Sequence, residues 1–111
     1  MSPSAQGHQR IDQRSLALHH AIAAKLRARP ELLAIAHENI ERWTASAGRS
    51  SPYLAEWTGI VARPLEDILS LIQQEGEQMT ALRQCSPFAG VLLPAERWAV
   101  YARFKRSPEA P

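Results

Sequence analysis

The chain is 111 residues long, 45% hydrophobic, and carries a formal net charge of +2. That is room for one domain and too apolar for a disordered segment, while the small excess of charge counts against a dedicated nucleic-acid binder without excluding one. A lone cysteine, Cys85, excludes an intramolecular disulfide and a cysteine-rich zinc site, and suits a reducing compartment such as the cytoplasm.

Alanine and leucine dominate, β-branched residues are sparse, and no strict two-residue alternation persists, so helix is expected throughout. Met1 to Gln9 lacks the apolar stretch of a signal peptide, and residues 1–9 are expected to form a disordered tail. Helical spacing begins near Arg10, with Ile11, Leu18, Ile22 and Leu26 on one stripe and Lys25, Arg27 and Arg29 complementing the dipole at the end. Pro30 breaks this helix and fits the first position of a second. There Leu33, Ala36, Ile40, Trp43 and Ala47 repeat in steps of three and four until Gly48. That stripe can pack internally or against a second copy of the chain.

Ser51–Pro52 reads as an N-cap followed by proline at the first helical position, opening a short helix to about Ala62 that points Tyr53, Leu54, Trp57 and Val61 inward. Arg63–Pro64 repeats the device, with Glu66 and Asp67 in the first turn and Leu65, Ile68, Leu69 and Ile72 as the apolar face, ending near Glu75–Gly76. Glu77 to Gln84 reads as another short helix using Met79 and Leu82. The connector Cys85 to Leu93 is apolar for a loop and is expected to be pinned down. Pro94 opens the last helix, where Glu96 sits early, Arg103, Lys105 and Arg106 sit late, and Trp98, Tyr101 and Phe104 form an aromatic stripe. Residues 107–111 are expected to fray. The sum is an all-α, irregular bundle of five to six short helices, one domain over residues 10–106.

Charge is unevenly placed: residues 1–50 carry +3, residues 51–80 carry −4, and residues 81–111 carry +3. This pattern serves either internal complementarity or a partner surface. No apolar run approaches the ~20 residues of a membrane span. His37 and Glu41 are one turn apart, but two ligands fall short of the three or four a metal site needs. His19 and His20 point in different directions on a helix, so at most one can join any site. Glu66 and Asp67 have a purely structural reason to be at a helix start, no carboxylate adjoins a nucleophile, and no glycine-rich phosphate loop exists. The expectation is a non-enzyme without metal or cofactor.

Three tryptophans are many for this length. Each lies on an apolar stripe and reads first as core, yet aromatic and arginine anchors are also what partner surfaces use. The stretches Ser15–His19, Asn39–Trp43 and Pro52–Trp57, with Leu82–Gln84, Ser86–Leu92, Glu96–Trp98 and Tyr101, resemble a group of small bacterial helical proteins. That group is associated with toxin–antitoxin operons, beside a nucleotidyltransferase-like toxin of the abortive-infection kind. The resemblance spans residues 11–106 and implies a role in neutralising a toxin by binding it, with no catalytic residues. The contact is then expected at Phe88, Val91, Leu92, Arg97, Trp98 and Tyr101, from an apolar loop and an arginine–aromatic helix face. No long disordered C-terminal arm follows, so inhibition would use a folded surface. The competing expectation is a DNA-binding regulator that uses Arg103, Lys105 and Arg106 on the basic last helix.

Overall fold

The structure is a computed structural model that describes residues 3–47 and 51–105, with side chains over residues 13–46 and 51–103. Six α-helices follow one another: α1 (Pro3–Ala28), α2 (Leu33–Ala47), α3 (Pro52–Val61), α4 (Leu65–Ile72), α5 (Glu77–Arg83) and α6 (Pro94–Lys105). No strand interrupts them among the described residues, and the architecture is the expected all-α bundle in one domain.

The first helix differs from expectation. At 26 residues α1 is not short; it begins at Pro3, well before Arg10, and so runs through most of the segment read as a tail. Residues 3–10 hold no large apolar side chain, so periodicity gave no signal there, whereas their alanine and glutamines are compatible with helix. The long α1 is the spine of the fold, packing against α4, α5 and α6, while α2 pairs with α3 and α4 touches both α3 and α5. Gly48, the expected stop of α2, and the tail over residues 107–111 lie outside the described residues.

The joints follow local chemistry. Pro30 starts a single 3-10 turn, Pro30–Leu32, that feeds α2, so the proline does open the second helical segment. Ser51 caps α3 by accepting the Leu54 N–H on its hydroxyl at 3.4 Å, with Pro52 in the first turn. Pro64 sits one position before α4, its carbonyl accepting the Ile68 N–H at 3.1 Å. At the start of α6, the Glu96 carboxylate reaches back to the Leu93 N–H at 2.7 Å, the acidic half of a capping box. Gly76, with φ of 122°, turns the chain into α5 through backbone that a side chain would strain.

Ile22, Leu26, Ala36 and Ile40 bring the stripes of α1 and α2 into one core with Leu54, Trp57, Ile68, Leu69, Ile72 and Leu82. Trp57, only 1% exposed, donates its indole N–H to the Leu82 carbonyl at 2.9 Å, which satisfies its one polar atom inside the core. Tyr53, expected inward, is instead nearly half exposed, one position off the buried Leu54–Trp57 face of α3. The acidic α4 is partly answered by the basic end of α1, where Arg27 meets Glu66 at 3.4 Å on the surface.

Candidate partner-binding face and adjoining cleft

The connector between α5 and α6 is pinned, as its apolar composition requires, but its side chains point inward. Phe88, Val91 and Leu92 are all buried. The Phe88 ring stands edge-on to Trp57, centroids 5.6 Å apart, and edge-on to the His19 imidazole at 6.1 Å. Buried to this degree they cannot serve as exposed anchors on a protein-binding face, so they leave the expected contact set, although Phe88 and Leu92 reach the wall of a cleft. The reason is that the loop turns back on itself: the Val91 N–H bonds to the Phe88 carbonyl at 3.0 Å, and Gly90 takes a φ of 100°.

Two buried polar residues hold that turn. Asn39 on α2 donates from Nδ2 to the carbonyls of Pro87 at 2.8 Å and Ala89 at 3.0 Å, and its Oδ1 accepts from Arg42. His19 on α1 donates from Nδ1 to the Ser15 carbonyl at 2.8 Å, which fixes the tautomer, since a carbonyl can only accept. Its Nε2 therefore accepts the Ser86 hydroxyl proton at 2.9 Å, and Ser86 Oγ in turn accepts the Phe88 N–H at 3.3 Å. Burial outweighs the Ser15 bond and pulls the His19 pKa down to about 4, with the Arg83 guanidinium opposing protonation further. At neutral pH this is an uncharged imidazole, far weaker as a base than the near-neutral pKa that proton abstraction favours. The hydroxyl–imidazole pair is built to latch the connector onto α1.

Arg83 is the third buried polar residue. Its guanidinium donates to the carbonyls of Ile72 at 3.1 Å and Gln74 at 2.7 Å, where α4 ends and its terminal carbonyls lack helical partners.

What remains of the expected face lies on α6. Trp98 is 62% exposed and Leu93, just ahead of Pro94, is 59% exposed. Tyr101 is half-buried and packs edge-on against Trp98, with centroids 5.9 Å apart. Arg14 of α1 lies 5.2 Å over the Tyr101 ring in a cation–π contact. Arg97 is exposed one turn before Tyr101 on the same side of the helix, and its side chain makes no ion pair or hydrogen bond among the described residues. The inward anchor of α6 is Val100, a residue the aromatic stripe concealed. Lys25 of α1 clamps the start of the helix through Glu96 at 2.5 Å.

Of the residues expected to touch DNA, Arg103 is exposed at the end of α6. The Lys105 side chain and all of Arg106 lie outside the described residues, as does the Phe104 side chain. His37 and Glu41 are both exposed on α2, and no group of three metal-ligating side chains occurs among the described residues. His20 is exposed and donates from Nδ1 to Gln73 Oε1 at 2.6 Å, the opposite direction from its neighbour His19.

Beside the Trp98–Tyr101 face a cleft of about 240 Å³ opens between α1, the connector and α6. Leu18, Ile22 and Leu92 form its apolar part, and Ser86, Arg97 and Tyr101 its polar part. No helix among the described residues is long and apolar enough to cross a membrane. The class that fold and face define is a small all-α domain with an aromatic–arginine surface on its last helix. No protein-family model, curated protein or solved structure matches the chain.

Proposed function

We propose that this chain is a protein-interaction module that binds and neutralises a cognate toxin enzyme in the bacterial cytoplasm, using the exposed face of α6. The observation that carries the reading is the Trp98 ring. A large aromatic is left 62% exposed and braced by Tyr101, although the small core could have used it. Leu93 adds apolar area, and Arg14, Arg97 and Arg103 supply a cationic rim, which fits a partner whose own rim is acidic. The sequence resemblance to proteins of toxin–antitoxin operons supplies the kind of partner. In this reading the chain catalyses nothing itself, and the Ser86–His19 pair serves the fold.

The test is neutralisation in cells. Co-expression of the chain is expected to rescue growth arrested by the enzyme encoded next to it, and Trp98→Ala is expected to lose the rescue while its helical circular dichroism stays native. Rescue undiminished by Trp98→Ala, Arg97→Ala and Leu93→Ala together would remove α6 from the reading. The competing function, DNA-bound regulation, rests on the exposed Arg103 at the basic end of the same helix. It requires salt-sensitive binding to the chain's own promoter that flattens when Arg103 and Arg106 become alanine.

A further inference from the structure

Three features of the cleft between α1 and α6 point to one kind of occupant. First, its charge has one sign. Arg83 and Arg97 line it, Arg14 lies over the Tyr101 ring at its edge, and no aspartate or glutamate is among the lining residues. Glu96, beside Arg97 in sequence, is turned away and held by Lys25 and by the Leu93 N–H. Second, the donors converge without being spent. The Arg97 fork makes no bond within the described protein, and the Tyr101 phenol lines the same cleft from one turn further along α6. His19 in the wall is neutral at physiological pH and adds no charge that the ligand must balance. Third, one part of the wall is apolar, beside the polar Ser15, Gln84 and Ser86. Leu18, Ile22, Leu92 and the edge of Phe88 would desolvate a ligand's body while its head meets the arginine.

We infer that this cleft is a binding site for a small organic oxyanion, a carboxylate or phosphate monoester on a compact apolar body, with Arg97 gripping the anionic head and Tyr101 donating beside it. A planar guanidinium fork matches either head through paired hydrogen bonds, which an ammonium does not. An apolar cavity of about 150 Å³ is enough to hold benzene, so this cleft of about 240 Å³ has room for a single ring with its acidic substituent. A site this small binds weakly on its own, as expected for a metabolite present at high concentration. The inference goes beyond the partner reading: it shares Arg97 and Tyr101 with that face, but the cleft needs no second protein to be complete.

The experiment is a titration of the uniformly ¹⁵N-labelled full chain with benzoate and with phenyl phosphate, followed by NMR at neutral pH and low salt. Saturable shifts are expected at the Arg97 side-chain N–H and at the amides of Ser86 and of Phe88 to Gly90, with neutral benzamide producing none. Arg97 is exposed, so Arg97→Ala is expected to leave the spectrum otherwise native and to weaken binding about tenfold to a hundredfold. Arg97→Lys is expected to recover only part of that, and Tyr101→Phe to weaken binding less. Stronger binding of one probe separates a carboxylate site from a phosphate site. No saturable shift up to the probes' solubility limit, an equal response to benzamide, or shifts unaltered by Arg97→Ala would each overturn the assignment. Shifts at other surface arginines such as Arg27 and Arg63, in place of the cleft, would do the same.

Discussion

Acidifying the solution should unlatch the connector through one residue, His19. The residue is 3% exposed, and burial holds its pKa at about 4 against 6.5 for a solvated histidine. Above pH 6.5 the side chain is neutral in both folded and unfolded chains, so it causes no pH dependence. As pH falls below 6.5 the unfolded chain takes up a proton that the folded chain refuses, and folding loses about 1.4 kcal/mol for each further pH unit. The loss stops growing below about pH 4, where the folded protein also protonates. By then it amounts to about 3 kcal/mol, a large part of the roughly 5–15 kcal/mol that a domain of this kind has. Glu31 and Glu96, which their hydrogen bonds hold below the ordinary carboxylate range, act only at still lower pH. The window from pH 6.5 to 5 therefore isolates the histidine, at about 2 kcal/mol. Urea denaturation of the wild type and of His19→Gln at closely spaced pH values measures it. The two stability curves should converge as pH drops from 6.5 to 5. Curves that stay parallel, or an imidazole that titrates near 6.5 by NMR, would show that burial does not hold His19 neutral.

Other substitutions separate core from surface. Phe88→Ala should cost about 3–5 kcal/mol in urea denaturation, because it empties a site enclosed by Trp57 and His19. Trp98→Ala should change stability by less than about 1 kcal/mol, since most of the ring is already in water. Equal costs for the two would mean that the tryptophan is part of the core. Asn39→Ala should cost about 2–3 kcal/mol by stripping the donors from the Pro87 and Ala89 carbonyls. Faster amide exchange at Val91 should accompany that loss, and unchanged exchange would mean that the turn holds itself. Arg83→Met keeps the aliphatic stem but removes the donors at the end of α4, and should lower stability by about 2–3 kcal/mol. A neutral effect would show that water replaces the guanidinium.

Much of the fold was legible because periodicity and punctuation agree. The prolines at positions 30, 52, 64 and 94 each stand at a helix start, and Leu26, Ala36, Ile40, Ile68, Leu69 and Ile72 fall inside as their stripes require. The length of α1 was not legible, because its first turns carry no apolar residue to mark a face. The site was only half legible. The connector's apolar residues signalled contact with something, and sequence could not say whether that something was a partner or the protein's own core. The deciding groups, His19, Asn39 and Arg83, are polar residues whose burial depends on partners 9 to 67 positions away. A polar side chain in an amphipathic pattern reads as surface, so nothing local revealed them. Within α6, Trp98 and Tyr101 drew attention by size, while the smaller Val100 took the inward position.

The binding of a neighbouring enzyme proposed for the α6 face has a direct test. The most direct measurement is size-exclusion chromatography with light scattering on this chain purified together with the protein encoded beside it. The expected result is a complex of fixed stoichiometry that Trp98→Ala dissociates while the variant's own spectrum remains native. A chain that elutes alone or as its own dimer, with both proteins folded and mixed in excess, would contradict the claim.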